Sequence, residues 1–325
     1  MAILKNLLRS WSANMYIYLL RLLELFKHTR RSKYRLLRGL NHYRYVVICF
    51  LENLIVRHVD ISKCLLKQSD DTNIVCSLTT YPGRIHECFY AIKTMLLQSV
   101  PPNRIVLWLA ESQFPNRELP DKYKILIDLG LEIRYCDDIR SHKKYFYMLQ
   151  EQKPNELVMT FDDDIIYHPD TIKRALDVHK KYPNCIVCNE AKEIVLTNHS
   201  KLASYNKWRK VTDGIKLPSI YKYSIMTGSG CLYPYGIMPK QTFGVDKIKE
   251  IAFTADDLWI TFTAKAFGIE VIPTEIIARN YTTISHSQST HLAQVNCLGD
   301  GNDKTISGMC ELYPEMKEKL IASLV

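Results

Sequence analysis

Leu157-Val-Met-Thr-Phe161-Asp162-Asp163-Asp164 runs five residues of strand character straight into three consecutive carboxylates. Ile165, Ile166 and Tyr167 follow, and Pro169 opens a stretch with helical spacing up to Tyr182. A short apolar run bounded by such signals is most simply a buried strand of an α/β sheet. Ligands of open α/β sheets gather outside the carboxyl ends of the strands. Three adjacent carboxylates there repel one another and raise their own pKa values unless a cation sits among them. Hard divalent ions such as Mg²⁺ and Mn²⁺ take one or two carboxylates and complete their shell with substrate phosphates. The competing reading is a solvated acidic turn, with Asp170 near a helix N-terminus where negative charge is favoured. Spacing alone does not separate the two.

The flanking chain alternates strand and helix. Ile74 to Thr79 reads as a first strand and Arg84 to Gln98 as a helix, with Ile85, Phe89, Ile92 and Leu96 on one face. Arg104 to Leu109 is a second strand, and Pro120 to Leu129 a short helix closed by Gly130. Leu131 to Tyr135 is a third strand, and Ser141 to Gln152 a helix leading to the strand at Leu157. Such alternation predicts an α/β fold with a mostly parallel, doubly wound sheet. The strand ends then place polar groups on one edge: Thr79, Thr80 and Tyr81 with Arg84, then Glu111, Asp137 and Asp138, with Lys143 and Lys144 opening the helix before the triplet. Arg, Lys and helix N-terminal amides suit phosphate. Singly, each is an ordinary loop residue; the shared edge carries the information.

Beyond the triplet, Tyr205, Lys207, Trp208 and Arg209 have a composition suited to gripping a sugar or an anionic headgroup. In Met226-Thr-Gly228-Ser229-Gly230 two glycines permit close backbone approach to a ligand, and a β-bulge explains them equally well. Phe253-Thr254-Ala255-Asp256-Asp257-Leu258-Trp259 opens a second helix, closed by Gly268. Thr254 reads as its N-cap, with Asp257 completing a capping box. Ile276 to Ser285 reads as extended and delivers His286, with His291 just after.

Ser77-Leu-Thr-Thr-Tyr-Pro82 with Arg84, Gln98-Ser-Val-Pro-Pro102, Lys143-Lys144, Thr160-Phe-Asp-Asp-Asp-Ile165, Thr227-Gly-Ser-Gly230 and Ala255-Asp-Asp257 occur in this order. In this the chain resembles the GT-A glycosyltransferases, in particular bacterial family-2-like enzymes of surface polysaccharide and glycolipid synthesis, over about Asn73 to His291. The resemblance implies a Rossmann-like GT-A sheet and a metal-dependent inverting transferase of the hexosyl or N-acetylhexosaminyl kind. Asp162 and Asp164 match the ends of an Asp-X-Asp motif that binds ribose and Mn²⁺ or Mg²⁺. Asp257 matches the base that deprotonates the acceptor hydroxyl. Asp256 stands where the family more often has Glu, which leaves either carboxylate as the base. His286 matches a metal-binding histidine, with His291 its rival. Thr79, Tyr81, Arg84, Glu111, Lys144, Asp162, Asp163, Gly228 and Ser229 would line the nucleotide-sugar donor. A UDP-sugar is expected, although Leu109-Ala-Glu111 replaces the usual aspartates after the second strand and leaves the base open. A lipid-linked glycan or surface polysaccharide would be the acceptor. A sugar nucleotidyltransferase would want a glycine- and arginine-rich signature near the first strand, where only Arg84 stands; a membrane-peripheral nucleotide-sugar-binding protein without catalysis is the non-enzyme alternative.

Charge divides the 325 residues unevenly. Met1 to Asp70 holds 13 Lys+Arg against 4 Asp+Glu, so this segment carries the whole net charge of +9, and Asp71 to Val325 is neutral. The division predicts two parts, a basic amphipathic helical segment over 1–70 and a neutral body over 71–325, which the resemblance implies is a GT-A catalytic domain. Leu4, Leu7, Leu8, Trp11, Met15, Leu19, Leu22 and Phe26 recur at helical spacing among Lys5, Arg9, Arg21 and Lys27. No stretch has the roughly 18–20 uncharged apolar residues of a spanning helix, and no signal-peptide pattern opens the chain. The segment is expected to lie in an anionic membrane interface, its alternatives being packing on the protein's own core or dimerisation, which would make a homo-oligomer. Nucleic acid is not expected, because the bases interleave with aliphatics rather than stacking platforms. Ten scattered cysteines read as small buried hydrophobes. Free thiols point to a reducing compartment, hence the cytoplasm and the cytoplasmic face of the inner membrane. Asn198-His-Ser200 and Asn280-Tyr-Thr282, which match the glycosylation acceptor pattern, would go unused there.

Overall fold

The structure is a computed structural model and describes residues 12–27, 35–64, 66, 73–197, 201–211, 217–274, 281–284 and 300–325. Two helices come first, α1 (Ala13–Lys27) and α2 (Arg35–His58). The alternating part follows as β1 (Asn73–Thr79), α3 (Ile85–Leu96), β2 (Arg104–Ala110), α4 (Tyr123–Asp128), β3 (Leu131–Cys136), α5 (Lys143–Glu151) and β4 (Glu156–Phe161). A two-residue β5 (Ile165–Ile166), α6 (Thr171–His179) and β6 (Ile186–Cys188) come next. Five short strands then build minor sheets: β7 (Ala191–Glu193), β8 (Leu196–Thr197), β9 (Lys201–Leu202), β10 (Arg209–Lys210) and β11 (Tyr223–Ile225). The chain continues with β12 (Ser229–Tyr233), α7 (Val245–Ile251), α8 (Asp256–Ala266), β13 (Val271–Pro273), β14 (Thr282–Thr283), α9 (Gly301–Leu312) and α10 (Pro314–Leu324).

Seven strands form the main sheet in the order β13-β6-β12-β4-β1-β2-β3. β1 lies at its heart, parallel to both neighbours, with Ser77 opposite Thr160 of β4 and Val106 of β2. Only β12 runs against its neighbours. This is an α/β fold with a mostly parallel, Rossmann-like sheet flanked by helices. The inner strands β1, β2 and β4 are buried on both faces, which is why they read as nearly continuous apolar runs. Successive side chains of β1 part company as the pleat requires. Ile74, Cys76 and Leu78 join Ile92 and Met95 of α3 in one apolar cluster, and Val75 joins Val106, Trp108, Met148 and Val158 in another. A third cluster packs α8 and α9 on the minor sheets.

Tyr205 and Trp208 belong to that third cluster: both are buried, and the indole N–H donates to the Ala203 carbonyl. The sugar-gripping role expected of this aromatic pair is therefore corrected to a core role. The cysteines fit their expected part; seven of the nine described ones are buried and all nine are free.

α1 and α2 share the core rather than standing apart. Tyr16, Leu20, Ile55 and Val56 enter the cluster that holds β1 and α3. Polar links reinforce this seat. Arg21 pairs with Asp170 (2.5 Å), and Glu24 with Arg174 (2.6 Å) and His168 (2.7 Å). Asp170 thus serves as an ion-pair partner; no side-chain capping bond to α6 is made.

Candidate active site

The triplet follows β4 at the carboxyl end of the sheet, beside the end of parallel β1. Thr80, just past β1, donates its hydroxyl to Asp163 Oδ2 (2.5 Å). Arg84 brings one guanidinium nitrogen 2.9 Å from Asp163 Oδ1 and 3.2 Å from Asp164 Oδ2. Lys144, one residue into α5, is buried with its ammonium 2.6 Å from Asp162 Oδ1 and 2.9 Å from Asp256 Oδ2. It joins the triplet to the acidic start of α8. Ser77 steadies this lysine by donating to its carbonyl (2.6 Å).

β12 lies antiparallel against β4 with Ser229 opposite Phe161, so the glycine loop passes beside Asp162. A Cβ on Gly228 would fall 1.8 Å from Asp162 Oδ2. The close approach that glycine permits is to a carboxylate of the protein itself. Gly230, at φ +86°, sits in the bulge where the β12–β4 register shifts. Tyr167 locks the junction: its hydroxyl accepts the Asp162 N–H (2.6 Å) and donates to the Gly228 carbonyl (2.5 Å).

Asp256 and Asp257 face a common partner. The Thr227 amide and hydroxyl reach Asp257 Oδ1 at 2.7 and 2.6 Å, and the same hydroxyl lies 2.7 Å from Asp256 Oδ2. Ser141 donates to the other Asp256 oxygen (2.7 Å). α8 begins after Ala255 without a side-chain cap. The Thr254–Asp257 capping box expected from the sequence is therefore absent, because Asp257 turns to Thr227 instead.

Environment separates these carboxylates. Burial acts to raise the Asp256 pKa, but Lys144 and the Ser141 and Thr227 hydroxyls overcome it and hold the group well below the ordinary range. Burial and then the Asp256 charge push Asp257 up to about 7, against Lys144. Burial, Asp163 and Asp162 likewise push Asp164 up to about 7. The carboxylates Asp162, Asp256 and Asp257 outweigh burial at Lys144 and keep its ammonium charged. Buried His142, its Nε2 2.8 Å from the Ala252 carbonyl, is lowered to about 4 and stays neutral.

Among the described residues this connected group holds five carboxylates against two cations, Lys144 and Arg84. The excess of negative charge is what a divalent ion would relieve. No three His, Cys, Asp or Glu side chains among the described residues form a closed metal cage. Mg²⁺-type binding does not need one, since one or two carboxylates suffice when substrate phosphates complete the shell. Asp162, paired with Lys144, and Asp164, paired with Arg84, offer oxygen donors at that edge. His286 and His291 lie outside the described residues.

Of the other residues expected in the site, Tyr81 lies beside Arg84, its ring centre 5.7 Å from the guanidinium carbon. Glu111 stands exposed beyond β2, paired with Arg117 (2.7 Å). Two are turned away. Thr79 donates back to the Trp108 carbonyl (2.8 Å), because the residue that faces the triplet is Thr80. Ser229 is buried and donates to the Met226 carbonyl (2.7 Å), so its hydroxyl serves the loop. Sequence reasoning passed over Tyr167, Ser141 and the Thr227 hydroxyl. The signal for Tyr167 was a polar tip inside a buried apolar run, since a buried tyrosine hydroxyl needs a partner.

The fold and site together define an α/β protein with an acidic, cation-poor centre at the carboxyl edge of a Rossmann-like sheet. No family model and no curated protein matches this chain. Among solved structures, the mannosyltransferase PcManGT from Pyrobaculum calidifontis, in complex with GDP-Man and Mn²⁺, is similar at 13% identity and a TM-score of 0.43, over 92% of this chain and 81% of its own.

Proposed function

We propose that this protein is a metal-dependent inverting glycosyltransferase that moves a sugar from a nucleotide donor, a UDP-sugar by our reading, to a hydroxyl of a lipid-linked glycan or polysaccharide. One observation carries the proposal: five carboxylates share two cations where β4 ends and α8 begins, and one of them, Asp257, is partly exposed with its pKa near neutrality. A general base works best with a pKa near the working pH. Asp257 takes the acceptor's proton as the acceptor oxygen bonds to the anomeric carbon, and the carbon–oxygen bond to the diphosphate breaks with its electron pair on the leaving group. Attack from the face opposite the leaving group inverts the anomeric centre. Asp256, fixed by Lys144, Ser141 and Thr227, positions its neighbour rather than accepting the proton. Asp162 and Asp164 would hold Mn²⁺ or Mg²⁺, which supplies charge neutralisation for the departing diphosphate. Arg84 and Lys144 keep the triplet folded at the edge where a phosphate chain meets it.

The test is a screen of nucleotide sugars for donor hydrolysis, with and without Mn²⁺, joined to calorimetric titration of UDP. Metal-dependent release of a nucleoside diphosphate is expected. Release of pyrophosphate from a nucleoside triphosphate and a sugar phosphate would instead identify a nucleotidyltransferase, and indifference to both nucleotide and metal would sink the reading.

A further inference from the structure

The helix pair α1–α2 has two faces of opposite character. Glu24 and Glu52 are the only acidic residues before Asp60, and both are buried against the body. Glu24 meets Arg174 and His168; Glu52 meets the Thr282 hydroxyl. No exposed acid is left between Ser12 and His58. On the opposite side Tyr18, Leu22 and Leu25 recur at helical spacing along α1, and Tyr43, Val47 and Phe50 along α2. Four of these are 67% (Tyr18), 68% (Leu25), 69% (Tyr43) and 65% (Phe50) exposed. Scattered exposed apolar residues are ordinary; two stripes on adjoining helices mark an interaction surface.

We propose that this outward face docks on an anionic lipid bilayer. The excess of bases in the segment selects the partner, with 13 Lys+Arg against 4 Asp+Glu up to Asp70. A second copy would bring the same excess of bases to the contact, whereas acidic headgroups complement it. Each Lys or Arg near such a surface contributes attraction that salt screens. No described helix is long and apolar enough to cross the membrane. The pair therefore lies along the interface, with aliphatic side chains among the acyl chains and tyrosine hydroxyls at the headgroups. The body is anchored from behind through Glu24 and Glu52, so docking needs no rearrangement of the fold. This docking stands independently of the reaction proposed above.

The experiment is sedimentation of the full chain with phosphatidylcholine vesicles, with and without phosphatidylglycerol, alongside light scattering for mass. The wild type should pellet with the anionic vesicles and be released by high salt. A combined Tyr18→Ser, Leu25→Ser, Phe50→Ser variant should bind them at least ~10²-fold more weakly, since three exposed apolar side chains lose their burial, while its melting temperature stays unchanged. Equal pelleting of variant and wild type would overturn the proposal, as would failure of the wild type to bind. A dimer that the triple variant dissolves and vesicles do not compete with would give the face to a second copy instead.

Discussion

Asp256 and Asp257 are chain neighbours held in opposite electrostatic states, and substitution should separate them. Asp257→Asn keeps the Thr227 contact but removes a proton acceptor, so kcat should fall by ~10²–10⁴ with nucleotide titration unchanged. Asp256→Asn takes a negative charge from beside buried Lys144, which keeps Asp162 as a partner, so it should cost only part of the about 3–5 kcal/mol of a buried charge left unpaired, read as a lower melting temperature. Near-normal kcat in the first variant would pass the base to Asp256. The raised groups also set a pH dependence. Asp164 and Asp257 ionise near 3.8 when unfolded and near 7 when folded. The unfolded chain therefore binds fewer protons between those values, and these two groups subtract stability as pH rises through that window. If these carboxylates hold Mn²⁺, they do so ionised, so the melting temperature it adds should be larger at pH 8 than at pH 5; an equal gain would place the ion elsewhere. Each aspartate was legible as an acid in a suggestive position. Which one is poised and which is locked was not, because that depends on Lys144, Ser141 and Thr227 arriving from other elements.

Among the elements, those whose burial is two-sided were read closely. The central strand, expected at Leu157 to Phe161, spans Glu156–Phe161, and the first strand gains only Asn73. The helix expected from Pro169 to Tyr182 contracts to Thr171–His179, since its ends are set by turns rather than by apolar period. The two-residue strands β5 and β14 have too little pattern to announce themselves; they exist through tertiary pairing alone. Glycine in the loop before β12 was legible as a place of close approach, though its neighbour was not a ligand but Asp162. Gly228→Ala tests that geometry. Its Cβ would need the space of Asp162 Oδ2, 1.8 Å away, so the carboxylate must swing off Lys144. Metal-dependent turnover should drop about 10²-fold, the usual cost of a misplacement of an ångström, with the far-ultraviolet circular dichroism unchanged. Full turnover would show that Asp162 tolerates displacement and does not position the donor.

Across the whole molecule, the charge asymmetry was plain in the sequence, but α1 is apolar on more than one side, and such a helix does not reveal which face it buries. The structure turns Tyr16 and Leu20 inward and Tyr18 and Leu25 outward. That choice ties the helix pair to the acidic centre. Asn53 of α2 donates to the Thr283 carbonyl (3.1 Å), and Glu52 engages the Thr282 hydroxyl. Thr282 and Thr283 pair with Ile166 and Ile165, and the Ile284 amide donates to the Asp164 carbonyl (2.8 Å). α2 thus backs the strand pair that fixes the last carboxylate of the triplet. If this buttress matters, Asn53→Ala should speed hydrogen exchange at the Ile165 and Ile166 amides while β1 and β4 keep their protection, because local openings are graded by local packing. Turnover should fall by about tenfold, less than a full ångström's misplacement would bring. Unchanged exchange at Ile165 and Ile166 would mean that β5 and β14 hold each other without α2, and the link from the helix pair to the acidic centre would be lost.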